Sequence, residues 1–428
     1  MSLGRDRFDD DEKKELSKAF ESNSLWPYSG KGFAPFMKQA TDGLSNHFST
    51  ADRKAYVIPT ASGTSSIQVA LGGLKVPAGS EVIVTPITDP GTVTPIIFHN
   101  AIPVFADVDP ASGLITPDSV EAVLTRRTSA VIAVHLTGSP VDVPGIRKRL
   151  DDLGRTSVKI IEDVAQGLGA TLNGTPLGMM GDAGCFSLNS HKHISVGEGG
   201  FVLVSDKDDY FRCHNFSDKH RDRLDGGSVN SEHKQYVGPG HSLRMSELQG
   251  AMLVAQLPKL AGFAASRTAF GLALDARLTA KSNLVPQRHL PGAVPTFFGY
   301  MFSTSNEIDV AKKDAAIELV DDRIGAIESS IGGAYTHDDD PIYKYPLFLC
   351  RNFSENEQGI WPAELVAEKL YPNEITPGYY DYTNVSCTNA ESYLRRSFWV
   401  RLHEKHTPAH AEQIADTIVE VFADLGIS

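Results

Sequence analysis

The chemistry that this sequence suggests centres on one lysine between two apolar runs. Lys192 lies in a polar loop that joins residues 183–187 to residues 200–205, and a glycine-rich turn at 197–200 follows it. Short apolar runs bounded by turn residues predict two β-strands with a tight connection between them. An amine held in such a loop can form a Schiff base if burial or a neighbouring cation lowers its pKa. A solvated surface lysine is the alternative interpretation of this segment.

A second reactive group lies upstream, at the end of another apolar run. Residues 158–161 lead into Glu162 and Asp163, which predicts a buried parallel strand with carboxylates at its C-terminal end. Open α/β sheets place ligands at that edge. Pyridoxal phosphate requires a lysine for its aldehyde and a carboxylate that keeps its pyridine nitrogen protonated. Asp163 and Lys192, on neighbouring strand ends, would supply both groups.

The helix that follows the first strand begins with small and hydroxylated residues. Ser62, Gly63 and Thr64 would leave backbone N–H groups aimed at an anion, and the helix dipole favours a phosphate there. Plain N-capping by a serine or threonine is the alternative.

The elements that must position these residues alternate along the chain. Alternation of strands and helices predicts an α/β fold with a mostly parallel sheet between helices. Two further helices are predicted at 9–21 and from 244 to about 277. The predicted strands lie at 55–58, 81–85, 103–106, 130–135 and 158–163, and the helices between them at 92–99, 117–124 and 143–152.

Together these segments resemble the DegT/DnrJ/EryC1/StrS family, the fold type I aminotransferases that act on keto-sugars and cyclitols. The resemblance covers most of residues 25–260 and is looser towards the C-terminus. It implies a fold type I pyridoxal phosphate-dependent transferase, with a large cofactor-binding domain at 1–260 and a smaller C-terminal α/β domain at 261–428. The matching segments are 62–66, 81–84, 103–109, 162–166, 181–187, Lys192, 197–200 and 244–249.

The resemblance also implies a role for each site residue. Lys192 would hold the cofactor as an aldimine and then move a proton between substrate carbon and cofactor carbon. Asp163 would hold the pyridinium proton, and Gln166 would contact the ring hydroxyl or lie beside it. The residues expected to bind the phosphate are Gly63, Thr64 and Ser187.

Two positions depart from the family pattern. Asp89 stands where the family usually has an aromatic residue that stacks on the pyridine ring, so either another side chain covers the ring or Asp89 makes a hydrogen bond instead. Ser242 stands where the family has an asparagine that reaches across the dimer to the phosphate. That contact would be lost, mediated by water, or taken over by His241 or Arg244. A structural ion pair is the simpler interpretation of Arg244.

Two further features could belong to the site. His191 and His193 flank the lysine and could move protons near neutral pH, or could be wall residues. Residues 210–240 are predicted to form a loop, either at the substrate entrance with cations suited to an acidic or phosphorylated ligand, or on the solvated surface. The members of that loop with cationic or imidazole side chains include His214, His220, Arg221, Arg223, His233 and Lys234.

The implied activity is the transfer of an amino group from glutamate or glutamine to a keto-sugar or cyclitol. A sugar acid such as an octulosonate is an alternative acceptor. A dehydratase or lyase with the same cofactor is disfavoured, because sugar dehydratases of this scaffold have histidine in place of the lysine. A non-catalytic regulatory protein is the third alternative, suggested only by Asp89 and Ser242. The implied partners are these small molecules and a second copy, in a homodimer with the site at the subunit interface.

Composition sets limits on the class of protein. A chain of 428 residues predicts more than one domain, and a net charge of −13 disfavours nucleic acid or an anionic membrane as a partner. The four cysteines show no metal-ligand spacing and predict free thiols in a reducing compartment. The acidic N-terminal region does not resemble a signal peptide, and no apolar run is long enough to span a bilayer. A cytoplasmic protein without a metal site is therefore predicted.

Overall fold

The computed structural model describes residues 7–224, 238–327, 334–335, 340–351, 359–376, 378–403 and 405–427. Strands and helices alternate along its first half, as predicted. The strands are β1 (Tyr56–Thr60), β2 (Glu81–Val84), β3 (Ile102–Phe105), β4 (Thr128–Val134), β5 (Lys159–Asp163), β6 (Thr171–Leu172), β7 (Thr175–Pro176), β8 (Ala183–Ser187), β9 (Gly200–Val204), β10 (Val285–Pro286), β11 (Ala293–Val294), β12 (Gly299–Ser303), β13 (Ala334–Tyr335) and β14 (Ser397–Arg401).

The helices are amphipathic or buried segments that cover these strands. They are α1 (Asp10–Glu21), α2 (Pro35–Phe48), α3 (Gly63–Gly73), α4 (Pro90–Phe98), α5 (Pro117–Val123), α6 (Val143–Asp152), α7 (Lys207–Ser217), α8 (Glu247–Gln256), α9 (Leu260–Lys281), α10 (Val310–Ile327), α11 (Pro346–Cys350), α12 (Pro362–Leu370), α13 (Thr388–Arg396) and α14 (Pro408–Asp424).

A seven-stranded sheet in the order β1-β9-β8-β5-β4-β2-β3 forms the centre of the fold. Of these strands only β9 runs antiparallel to its neighbours, β1 and β8. The other pairings are parallel. The strands are almost entirely buried, because helices cover a parallel sheet on both faces and leave it without a solvated side. The predicted α/β class and the mostly parallel sheet are therefore confirmed.

A second sheet, with strand order β10-β12-β14-β13, lies in the C-terminal part of the chain and is antiparallel throughout. Its side chains form a separate core with α9, α10 and α14, which includes Phe302, Phe398 and Ile418. Segment 342–394 packs elsewhere: Tyr343 and Trp361 belong to the core of the large sheet. The domain boundary between 260 and 261 stays a prediction.

Two predictions of local structure need correction. The predicted loop at 210–240 begins later, because α7 extends to Ser217 and buries Phe211 and Cys213 on one face. His233 and Lys234 lie outside the described residues. The helix predicted from 244 to 277 is divided into α8 and α9 by a 3₁₀ turn at Leu257–Lys259. Pro258 in that turn has no N–H to continue the α-helical pattern.

Among the described residues, no helix is both long enough and apolar enough to cross a membrane.

Candidate active site

A cavity of about 570 Å³ lies between the C-terminal ends of β4 and β5, the N-termini of α3 and α4, and the antiparallel sheet. This is the edge at which open α/β sheets bind ligands. Helix starts and strand ends meet there because each parallel strand returns through a helix. Seven of the eight predicted site residues line the cavity: Gly63, Thr64, Asp89, Asp163, Gln166, Ser187 and Lys192.

Lys192 extends into this cavity from the connection between β8 and β9. Its Nζ lies 4.5 Å from the centroid of the Phe298 ring, and its backbone N–H donates to the carbonyl of Asn189 at 2.9 Å. Burial lowers the pKa of the amine, while the carboxylates of Asp163 and Asp89 oppose that shift. A lowered pKa increases the fraction of neutral amine, which is the nucleophilic form.

Asp163 lies at the end of β5, where its carboxylate is almost completely buried. Its Oδ2 accepts a hydrogen bond from the hydroxyl of Thr92 at 2.7 Å, and its Oδ1 accepts from the backbone N–H of Ala165 at 3.0 Å. Burial raises the pKa of Asp163, and the two hydrogen bonds and the charge of Lys192 oppose that change. Both oxygens are thus held in fixed directions at the floor of the cavity.

The start of α3 forms the end of the cavity that suits a phosphate. The hydroxyl of Ser62 caps the helix by accepting from the N–H of Ser65 at 3.0 Å, so the predicted N-capping is present. Gly63 and Thr64 follow in the first turn, where backbone N–H groups lack partners within the helix. A Cβ on Gly63 would lie 2.8 Å from the Cβ of Ser187, so only glycine permits this close approach of α3 to β8.

Gln166 is oriented by a backbone contact on the neighbouring loop. Its side-chain oxygen accepts from the N–H of Thr137 at 2.7 Å, which leaves its amide NH₂ as the donor that can face the cavity. Thr137 has a φ of +60°, a left-handed conformation that is rare for a β-branched residue. Strained backbone of this kind is concentrated at functional sites.

Asp89 combines a structural role with a place in the cavity wall. Its Oδ1 accepts from the N–H of Gly91 at 2.7 Å and caps α4. The hydrogen bond foreseen for Asp89 is thus directed to the backbone of its own helix. Phe298, Tyr345 and Trp399 are the aromatic residues among the described ones that line the same cavity.

Ser242, the eighth predicted residue, does not line the cavity of its own chain. It forms an isolated antiparallel bridge with Asp218. Its contact with the phosphate of a partner subunit stays a prediction. Arg244 forms an ion pair with Asp218, as the simpler interpretation of this arginine predicted.

The two histidines beside the lysine differ in environment. His191 is exposed and lines the cavity. His193 is fully buried, and burial lowers its pKa well below the usual histidine value. Unlike His191, His193 is not among the residues that line the cavity.

Several residues of the cavity were missed by reasoning from the sequence. Thr92 had one available signal, its place in the first turn of the helix that begins after Asp89. Phe298 and Arg401 had none, because they come from the antiparallel sheet. His135 also lies in the cavity wall; its Nε2 lies 3.1 Å from Glu162 Oε2, and its Nδ1 accepts from the N–H of Val141 at 3.0 Å.

The residues present fit pyridoxal phosphate. A lysine with a lowered pKa, a buried carboxylate and a helix start with a glycine cradle face one cavity, and they match the aldehyde, the pyridine nitrogen and the phosphate of that cofactor.

A family model described as the DegT/DnrJ/EryC1/StrS aminotransferase family matches residues 36–358. The chain belongs to the DegT/DnrJ/EryC1/StrS aminotransferase family. The resemblance predicted from the sequence is thereby confirmed, and so is the cofactor expectation, because aminotransferases of this family depend on pyridoxal phosphate.

Similar proteins of this family include L-glutamine:2-deoxy-scyllo-inosose aminotransferase of Streptomyces kanamyceticus. It is 33% identical over 298 residues, which cover 67% of this chain and 66% of that relative. UDP-N-acetyl-3-dehydro-α-D-glucosamine 3-aminotransferase of Acidithiobacillus ferrooxidans is 36% identical over 49% of this chain and 54% of its own. The chain thus matches between half and two thirds of these two relatives.

Among solved structures, an aminotransferase from Psychrobacter cryohalolentis superposes with a TM-score of 0.78. The two sequences are 25% identical, and the superposition covers 98% of each chain. This agreement over the whole chain confirms the predicted fold type I architecture of this family member.

Proposed function

We propose that this member of the DegT/DnrJ/EryC1/StrS family is a pyridoxal phosphate-dependent aminotransferase. It moves an amino group from glutamine or glutamate to a keto-sugar or cyclitol. The observation that carries this proposal is that Lys192 and Asp163 face one cavity, with the amine pKa lowered and the carboxylate held by two hydrogen bonds. The alternative acceptor is a sugar acid such as an octulosonate.

Bound pyridoxal phosphate supplies an electron sink for negative charge on the substrate carbon. Asp163 would hold a proton on the pyridine nitrogen, since its buried carboxylate faces the cavity and Thr92 fixes its direction. The first turn of α3, with Gly63 and Thr64, would bind the phosphate together with the hydroxyl of Ser187. Gln166 would offer its NH₂ to the ring hydroxyl or lie beside it, because its oxygen already accepts from the N–H of Thr137.

Lys192 performs the proton transfer. In its neutral form the amine would act as the base that takes the proton from the substrate carbon. The ring of Phe298 lies against the amine, with its centroid 4.5 Å from Nζ. The lowered pKa supports this role, because it increases the fraction of neutral amine, the form that can accept a proton.

The names of the relatives support the substrates. Two of them are L-glutamine:scyllo-inosose or deoxy-scyllo-inosose aminotransferases, and a third acts on a UDP-linked keto-sugar. The two cyclitol aminotransferases share glutamine as the named donor, and all three names share a polyhydroxylated ketone as acceptor.

We also propose a cytoplasmic homodimer. The four cysteines are free thiols, which suits a reducing compartment. Trp26 is 43% exposed, and the guanidinium carbon of Arg244 lies 4.9 Å from the centroid of its ring. Arg244 is two residues from Ser242 in the sequence. A partner subunit that covers this surface would bring Ser242 to its phosphate site. The expected mass in analytical ultracentrifugation is twice the 46.3 kDa of the chain.

The decisive experiment is the absorption spectrum of the protein with pyridoxal phosphate, before and after addition of glutamine or glutamate. A yellow band that bleaches with one donor supports the proposal. Lys192→Ala should form no such band and should show no turnover; a near-normal rate in this variant would contradict the assignment.

Product analysis separates the alternatives. An aminated product and the keto acid of the donor indicate transamination, whereas loss of water from the sugar indicates a dehydratase. Failure to bind the cofactor would favour a regulatory protein.

A further inference from the structure

The loop that carries Lys192 is contacted by a segment from the other end of the chain. Residues 7–12, which we call the N-terminal brace, lead into α1 and include its first turn. The guanidinium of Arg7 donates through Nη1 to the backbone carbonyl of Lys192. Arg7 is only 3% exposed, and it is not among the residues that line the cavity. The contact therefore reaches Lys192 from within the protein and not from the ligand side.

A second contact joins the brace to the same loop through Gln256, the last residue of α8. Its side-chain oxygen accepts from the backbone N–H of Ser195 at 3.1 Å. Its NH₂ donates to Oε1 of Glu12 at 2.7 Å and to the carbonyl of Arg7 at 3.3 Å. The amine of Lys259 also donates to Oε1 of Glu12 at 2.7 Å. The brace is thus fixed to the end of α8 and meets the lysine loop at 192 and 195.

Both peptide groups of Lys192 have hydrogen-bond partners. Its N–H donates to the carbonyl of Asn189 at 2.9 Å, and its carbonyl accepts from Arg7. Peptide groups are planar, so holding the groups on both sides of a Cα also holds the direction in which its side chain leaves the backbone. Arg7 therefore helps to determine where the amine of Lys192 can lie in the cavity.

A purely structural tie between the N-terminal brace and the rest of the protein is the alternative interpretation of Arg7. Glu12, with Gln256 and Lys259, already provides such a tie. Burying a charged group costs free energy, and the guanidinium of Arg7 is placed on the carbonyl of the one residue of the loop that carries the reactive amine. This placement favours a role in the chemistry of that amine.

We propose that Arg7 is a positioning residue for Lys192, which holds the amine within reach of the cofactor aldehyde. This inference rests on the proposed function and adds a residue outside the cavity to its machinery. The neutral amine and the aldehyde condense to a carbon–nitrogen double bond, and one water molecule leaves. The equilibrium of that condensation depends on the position of the amine, because a held amine loses less freedom when the bond forms.

The test compares two forms of the cofactor on the apoprotein. Pyridoxamine phosphate offers the cavity the same ring and phosphate as pyridoxal phosphate, but it has an amine in place of the aldehyde and cannot condense with Lys192. Arg7→Met keeps a long side chain that can still pack against Phe263, whose ring centroid lies 5.8 Å from the guanidinium carbon. We expect this variant to raise the dissociation constant of pyridoxal phosphate about tenfold and to leave that of pyridoxamine phosphate unchanged. Fluorescence titration measures both constants.

A matched control is Arg155→Met. Arg155 also donates to backbone carbonyls, those of Thr125 at 2.6 Å and Thr128 at 2.9 Å, but at the start of β4 and so at the far end of that strand from the cavity. Its removal should leave both dissociation constants unchanged. Arg7→Lys keeps a charged donor without the planar fork and should recover part of the affinity for pyridoxal phosphate.

The ratio of the two dissociation constants decides the inference. Equal weakening of both cofactor forms in Arg7→Met, or no change in either, overturns it, because a structural tie would not distinguish an aldehyde from an amine. If Arg7→Met does not fold, Arg7→Gln, which keeps a polar but uncharged side chain, is judged by the same ratio.

Failure of the proposed function looks different. A wild type that forms no yellow band with pyridoxal phosphate overturns both the proposed function and this inference. A wild type that forms the band and is bleached by glutamine, beside an Arg7→Met variant with an unchanged ratio, removes only the inference.

Discussion

The hydroxyl of Thr92, in the first turn of α4, donates a 2.7 Å hydrogen bond to Oδ2 of Asp163 at the end of β5. Thr92 is in turn 2.7 Å from the hydroxyl of Thr88. A short chain of hydroxyl groups therefore fixes the buried carboxylate on which the proposed chemistry depends. The contact joins residues 71 positions apart in sequence.

Thr92→Val should remove the hydrogen bond to the carboxylate of Asp163 while keeping the shape of the side chain. Loss of a hydrogen bond to a buried charged group should destabilise the protein by about 1–3 kcal/mol. It should also raise the pKa of Asp163 further, since that bond lowers it. The measurements are thermal unfolding and affinity for pyridoxal phosphate, and Thr92→Ser, which keeps the hydroxyl, is the control. Equal behaviour of both variants would argue against the contact.

Cofactor capture by the apoprotein should depend on pH through Lys192. The neutral amine reacts, so the rate should rise with pH and reach its midpoint below the ordinary lysine value of 10.5, because burial lowers this pKa. Asp89 raises the pKa of Lys192, so Asp89→Asn should move the midpoint to lower pH, while asparagine still caps α4. Stopped-flow absorbance measures the rate. A midpoint that moves upward in Asp89→Asn contradicts the expectation.

Gly63→Ala should weaken cofactor binding. The new Cβ would lie 2.8 Å from the Cβ of Ser187 and would push α3 away from β8, at a cost of about 1–3 kcal/mol. Fluorescence titration with pyridoxal phosphate and thermal unfolding report the two effects. Gly262→Ala is the matched control, because its Cβ meets nothing within 4 Å and lies in α9. That variant should be stabilised by about 0.5–1 kcal/mol.

Arg127→Met should be strongly destabilising. Arg127 and Glu81 form an ion pair of 2.7 Å with side chains only 5% and 2% exposed, and the hydroxyl of Tyr380 donates to Glu81 at 3.0 Å. Loss of the arginine leaves a buried carboxylate without its counter-charge, which should cost about 3–5 kcal/mol in urea unfolding. Arg126→Met is the control, because Arg126 is 66% exposed and should contribute less than about 1 kcal/mol. Similar losses in both variants would exclude this explanation.

The sequence by itself determined the reactive groups and the fold class. Lys192 and Asp163 each follow a short apolar run, and Ser62 begins a helix, so local patterns alone predict their elements. The alternation of strands and helices predicted the parallel sheet, because a parallel strand must return through a crossover connection. The loop predicted at 210–240 was wrong for 210–217 because a capped helix there buries apolar residues on one face.

Only the tertiary structure decided which distant groups complete the site. Phe298 and Arg401 carry no local signal, and Thr92 carries only its place in the first helical turn after Asp89. Hydrogen bonding, aromatic contact and strand register between distant segments bring these residues to the cavity. The place of Asp89 was decided in the same way: a helix cap at the cavity wall satisfies its carboxylate. Sequence periodicity specifies the strands and helices, but the packing of the two sheets around the cavity specifies which side chains meet there.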